Sequence, residues 1–148
     1  MNNILKKTIQ EVIRFYDQNK VGDIGPLGFR RSTDLAKLSN CINWLIDQRL
    51  LIPRKSLFLD MGCADGRVNV LMSYFCRRSI GIEIDEWTLD EFTPLLERLK
   101  ADLTRHSLLF PANNIHLFPG DTLDETTYTL IQDKAGLALN DFDFFYTY

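Results

Sequence analysis

Three groups of side chains in this 148-residue chain place carboxylates at the ends of apolar runs. The first is the run Leu57-Phe58-Leu59-Asp60-Met61-Gly62-Cys63-Ala64-Asp65-Gly66-Arg67-Val68: an apolar stretch, then a small-residue loop carrying two carboxylates. Val68, Leu71, Met72 and Phe75 follow at helical spacing, which opposes the alternative of an Asp65-Gly66 turn closing a β-hairpin. A strand feeding a glycine-rich turn and a helix is how open α/β sheets build a pocket outside the carboxyl end of a strand. The acids set the chemistry. Asp60 and Asp65 would repel a pyrophosphate, and Asp65 can cap the helix amides that a phosphate would need. The expected ligand is cationic or uncharged where it meets this loop.

The second group ends the apolar run Ser79-Ile80-Gly81-Ile82-Glu83-Ile84-Asp85, with Glu83 21 positions after Gly62. An acid at the tip of a second strand can accept both hydroxyls of a ribose, as in dinucleotide sites. The alternative is a pair of strand-end charges facing water. The third is Asn114-Ile115-His116-Leu117-Phe118-Pro119-Gly120-Asp121-Thr122, a third apolar strand ending in Gly-Asp. Gly120-Asp121 alone is ordinary turn chemistry. Its weight comes from the order of three acids, each placed after a strand.

The spacing Asp60-x-Gly62-x-Ala64-x-Gly66 resembles the first motif of class I S-adenosylmethionine-dependent methyltransferases, usually an acid followed by three glycines at alternate positions. Ala64 departs from that pattern, and an alanine is expected to keep ordinary L-residue backbone, without positive φ. The resemblance implies a Rossmann-like sheet and S-adenosylmethionine as cofactor, whose sulfonium, ammonium, ribose diol and adenine suit an acidic loop. It implies that Asp60, Gly62, Cys63, Ala64 and Gly66 line the cofactor, Glu83 holds the ribose and Ile84 packs on the adenine. Asp121 would accept from the adenine amino group, with the Thr122 backbone N–H addressing the ring. Two alternatives stand beside a methyltransferase. One is a noncatalytic protein or degenerate fragment of the same fold. The other is a nicotinamide oxidoreductase, opposed by the acidic loop and the lack of Gly-x-Gly-x-x-Gly.

Alternating strands and helices must position these residues, which predicts an open parallel α/β sheet with helices on both faces. Residues 1–52 read as an N-terminal helical extension. Leu5, Ile9, Val12, Ile13 and Tyr16 share one face of a first helix; Ser32 or Thr33 caps a second that carries Leu35, Leu38, Ile42 and Leu45. Between them lies a Gly/Pro-rich loop; the resemblance implies an extension folded over the pocket, which would bring Phe29 and Arg30 to line it, while the residues themselves read as a buried Phe and a surface Arg. Residues 53–148 read as the cofactor-binding domain. Leu89, Phe92, Leu96, Leu99 and Leu103 define a helix with Pro94 in its first turn or at a kink, and Thr122 to Leu139 a weaker one. The aromatic run Asp141 to Tyr148 is the fourth strand. A complete domain of the resembled family has seven strands, so the chain reads as that domain truncated after its fourth, with catalytic residues and methyl acceptor undetermined. In that fold the fourth strand lies beside the first, leaving an aromatic edge open to self-association or a partner strand. Tyr146 and Tyr148 read as packing residues, and neither His106 nor His116 is placed as a base.

Composition is that of a single soluble domain, 45% hydrophobic and 25% charged. A formal charge of −3, with no Lys/Arg cluster standing out beyond Arg30-Arg31 and Arg77-Arg78, gives no general attraction to nucleic acid. Cys41, Cys63 and Cys76 have no metal-ligand spacing, and they fit a reducing, cytoplasmic setting with no metal expected. No apolar run nears the ~18 residues of a membrane span.

Overall fold

The computed structural model describes residues 2–19 and 32–147, together with the backbone of 24–25 and 28–29, which pair as a short antiparallel ladder. Arg30, Arg31, Tyr148 and the side chain of Phe29 lie outside the described residues.

Four strands form one parallel sheet: β1 (Leu57–Met61), β2 (Arg78–Glu83), β3 (Ile115–Pro119) and β4 (Phe144–Thr147), in the order β3-β2-β1-β4. The expected open α/β sheet is the one observed. β1 and β2 are buried along most of their length because helices cover both faces, which is why they read as nearly continuous apolar runs. On one face, Phe58 packs with α1 (Asn3–Gln18), α2 (Leu35–Asp47), α3 (Arg67–Ser73) and α5 (Phe92–Arg105) through Val12, Ile42, Leu71 and Leu99. On the other, Leu59, Ile80, Ile82 and Phe118 pack against Ile131 of α6 (Glu125–Ala135). The chain leaves β3 at one edge and returns through α6 to β4 at the opposite edge. Strand order therefore reverses between β1 and β4, as at the ligand crevice of doubly wound sheets.

Local chemistry fixes the helix ends. Asn2 caps α1 by accepting from Leu5 N (2.9 Å). α2 is capped by Asp34, which accepts from Lys37 N at 3.0 Å, and not by Ser32 or Thr33. Thr33 is committed elsewhere: its hydroxyl shares a 3.0 Å hydrogen bond with that of Tyr146 on β4. The helix expected around Leu89 to Leu103 is broken at Glu91 into α4 (Glu86–Asp90) and α5, which places Pro94 in the first turn of α5, where its missing N–H costs nothing. α6 runs from the Asp124 cap to Gly136, whose left-handed φ of 67° ends it.

At Gly81, in the centre of β2, a Cβ would lie 2.7 Å from Cys63 Sγ, 2.7 Å from Leu117 Cδ2 and 2.8 Å from Asn69 Oδ1. Gly81→Ala is therefore expected to lower the unfolding free energy by about 1–3 kcal/mol, the usual range for overpacking a tight core, measurable as a shifted urea midpoint at constant slope.

Candidate functional site

Parallel register brings the three sequence motifs to one edge. Met61 pairs with Ile82, and Glu83 pairs with Pro119, so the loops after β1, β2 and β3 leave the sheet side by side. Backbone bonds tie them together. Gly62 N and Cys63 N both donate to Ile82 O (2.9 and 2.8 Å), and Gly120 N donates to Glu83 O (3.0 Å).

The loop after β1 has positive φ at Gly62 (92°), Ala64 (49°) and Gly66 (75°). The ordinary backbone expected of Ala64 is thus corrected: it sits in the left-handed region, at a cost of about 1–2 kcal/mol for a residue with a Cβ. Offsetting that cost, Ala64 N donates 2.8 Å to Glu83 Oε2, a charge-assisted bond. Gly66 N bonds Cys63 O (2.9 Å), and Arg67 N bonds Asp65 Oδ1 (3.2 Å). With Gly62 and Cys63, five loop amides serve the protein itself, in contrast to the open amides of a pyrophosphate cradle.

The two loop acids differ. Asp65 does cap the start of α3, but it is also half of a buried ion pair: Arg67 Nη2 lies 2.7 Å from its Oδ2, and Nε lies 3.0 Å from its Oδ1. Arg67 reaches on to Tyr16 O (3.5 Å) and Asn19 O (3.3 Å), with its guanidinium 5.4 Å from the Tyr16 ring centre. It thereby locks the loop to the end of α1. Nothing in the sequence reading singled out Arg67. The available signal was one cation opening a helix otherwise made of apolar and small residues.

Asp60 is 1% exposed, and neither of its carboxylate oxygens has a hydrogen-bond partner among the described residues. Burial, then the charges of Glu83 and Asp65, push its pKa up to about 8. The folded chain therefore holds a proton there that the unfolded chain releases near pH 4, and this group's contribution to stability is full below that pH and declines as pH rises towards 8. Asp60→Asn is neutral throughout, so its melting temperature relative to the parent chain is expected to rise steadily between those two pH values. A difference independent of pH would place Asp60 in contact with water or a donor.

Glu83, 5% exposed, is braced at both oxygens, Oε2 by Ala64 N and Oε1 by Asp85 N (2.9 Å). Ile84 beside it is 52% exposed. Cys63 is buried against β2, and burial raises its thiol pKa, which suits a packing residue and not a nucleophile. Asp121 is exposed, and its Oδ1 accepts from Leu123 N (2.8 Å), a local Asx turn; Thr122 O accepts from the Tyr128 hydroxyl (2.7 Å). The structure thus gathers Asp60, the Gly62–Gly66 loop, Glu83, Ile84, Asp121 and Thr122 at one edge, with Asp121 the outermost. Tyr146 pairs with Asp60 across β1 and β4 and is half-buried in the helical layer.

A separate cluster joins Glu11, Asp102 and His106 on α1 and α5. Arg14 bonds both acids, and Arg105 lies 2.6 Å from Asp102, so it is an ion-pair network in which the arginines occupy the carboxylates a cation would need. A cavity of about 680 Å³ beside it is walled by Arg14, Phe15, Arg98 and Asp102. No helix among the described residues is long and apolar enough to cross a membrane.

No family model matches the chain, and no curated protein matches it. Solved structures superpose on it with low identity. A SAM-dependent methyltransferase from Anabaena variabilis shares 15% identity over 88% of this chain and 46% of its own, at TM-score 0.43. A tRNA methyltransferase from Aquifex aeolicus shares 17% over 56% of this chain and 30% of its own (TM-score 0.39), and a dimethyladenosine transferase from Plasmodium falciparum 20% over 57% and 26% (TM-score 0.32). The chain spans less than half the length of each of these structures. The fold is an open Rossmann-like sheet. That assignment rests on the strand order and parallel register of the chain itself.

Proposed function

We propose that the chain binds S-adenosylmethionine at the carboxyl edge of its sheet and is the cofactor-binding part of a methyltransferase. The observation that carries this reading is Asp60, a buried carboxylate with no partner among the described residues, beneath a loop five of whose amides are already bonded within the protein. Such a floor suits a cation and disfavours a phosphate. S-adenosylmethionine brings a sulfonium and an ammonium, with a diol and a flat base and no phosphate. Gly62 leaves open space where a Cβ would stand, so a ligand can approach the loop backbone there. Asp60, Gly62, Cys63, Ala64 and Gly66 would surround the amino-acid arm and sulfur. Glu83, oriented by its two amide bonds, would accept from the ribose diol. Ile84 would cover one side of the adenine, and Asp121 with the Thr122 N–H would meet its edge. When bound, the cofactor supplies an electrophilic methyl group, and the protein's part is to align donor and acceptor for an in-line displacement.

Calorimetric titration with S-adenosylmethionine, S-adenosylhomocysteine and NAD tests this. The two adenosyl-sulfur ligands are expected to bind and NAD to show no heat; binding of NAD alone would overturn the proposal in favour of a nicotinamide site.

A further inference from the structure

We infer that this site exchanges a proton for its ligand's cation: Asp60 is protonated in the empty protein and gives up that proton when the ammonium group of the adenosyl ligand arrives. The inference rests on the proposed cofactor reading and adds a pH-dependent affinity to it.

Three carboxylates crowd the end of β1 and β2, and two are compensated. Glu83, facing Asp60 from β2, accepts from two backbone amides. Asp65, facing it from the loop, is held by Arg67 of α3, whose guanidinium is turned to Asp65 and to the Tyr16 and Asn19 carbonyls. Asp60 has neither kind of support. The Cys63 thiol of the loop, its pKa raised by burial, stays neutral near pH 7, and Tyr146, in register with Asp60 on β4, has its hydroxyl bonded to that of Thr33. Burial and two nearby negative charges keep the proton on Asp60. A cation within contact distance reverses that preference, because attraction in a dry site far exceeds its value in water. The step balances: carboxylic acid and ammonium ligand give the carboxylate–ammonium pair and one proton released to solvent.

Binding should therefore strengthen with pH, by about tenfold per unit well below pH 8 and less above it, or about fifty-fold between pH 6 and 8. S-adenosylhomocysteine is a suitable probe because its ammonium stays charged across that range. Adenosine, which lacks the amino-acid arm, is the control. Titrations near pH 7 in phosphate and in Tris, buffers of very different ionisation enthalpy, give the protons released per ligand from the difference in heat. The expected result is close to one proton for S-adenosylhomocysteine, none for adenosine, and none for S-adenosylhomocysteine on Asp60→Asn. Binding with buffer-independent heat, or with affinity flat across that pH range, overturns the inference and leaves the cofactor site standing. Proton release that persists in Asp60→Asn also overturns it, by assigning the proton to another group. Failure of both adenosyl ligands to bind overturns the cofactor reading and this inference with it. Where Asp60→Asn does not fold, Asp60→Ser takes its place as the variant that assigns the proton, and the wild-type comparison of the two ligands still overturns the inference if no proton is released.

Discussion

Arg67→Met should lower the unfolding free energy by about 3–5 kcal/mol, the cost of stranding a buried carboxylate. Asp65 and Arg67 are both buried, and their side chains meet through three contacts between 2.7 and 3.2 Å. Methionine fills much of the volume of the arginine stem but leaves Asp65 charged in a dry setting, and it removes the two bonds to the Tyr16 and Asn19 carbonyls at the end of α1. The double variant Asp65→Asn/Arg67→Met removes both charges together and should recover more than half of the loss, since neutral replacement of a buried pair is far less costly than breaking it. A denaturant-based double-mutant cycle measures the coupling. A loss below about 1 kcal/mol in the single variant would mean that water reaches the pair, because exposed ion pairs have that magnitude.

Elements whose cause lies within their own segment were legible from the sequence. The apolar runs beginning at Leu57, Ser79, Asn114 and Phe142 become four parallel strands, and the small-residue loop after Asp60 stands where a strand-turn-helix pattern puts it. The alternation of strands and helices was enough to place the motifs on one edge, because parallel strands share a carboxyl end. What escaped depends on partners far along the chain. Ala64 is pulled into the left-handed region by Glu83, 19 positions away, and a residue's own propensity carries no trace of that bond. Arg67 is buried because Tyr16 and Asn19, about 50 positions earlier, offer a ring face and two carbonyls. The cap of α2 is Asp34, the residue just before its first turn, while the hydroxyl of Thr33 is engaged by Tyr146, 113 positions on. Asp121 was legible in position, yet its Asx turn means that its carboxylate has a local task before any ligand arrives.

Glu83→Ala should weaken S-adenosylhomocysteine binding by about 1.5–3 kcal/mol, the range for losing hydrogen bonds to a charged acceptor, and it should also loosen the loops on either side. Both effects come from one carboxylate. Its Oε2 holds Ala64 N and its Oε1 holds Asp85 N, so alanine strands two amides and removes the bond that offsets the left-handed backbone at Ala64. Ordering those loops would then fall to the ligand, adding to the affinity lost. Glu83→Gln separates the two contributions. The side-chain amide keeps one oxygen to accept from a backbone N–H, but it turns an NH₂ donor towards the other, so one loop stays braced while the second is opposed by a like donor. Amide hydrogen exchange at Ala64 and Asp85 reports on the braces directly: slow at both in the parent chain, fast at both in Glu83→Ala, and fast at one in Glu83→Gln. If exchange at Ala64 is unchanged in the alanine variant, the loop holds its own conformation, and any affinity lost belongs to the ribose contact alone.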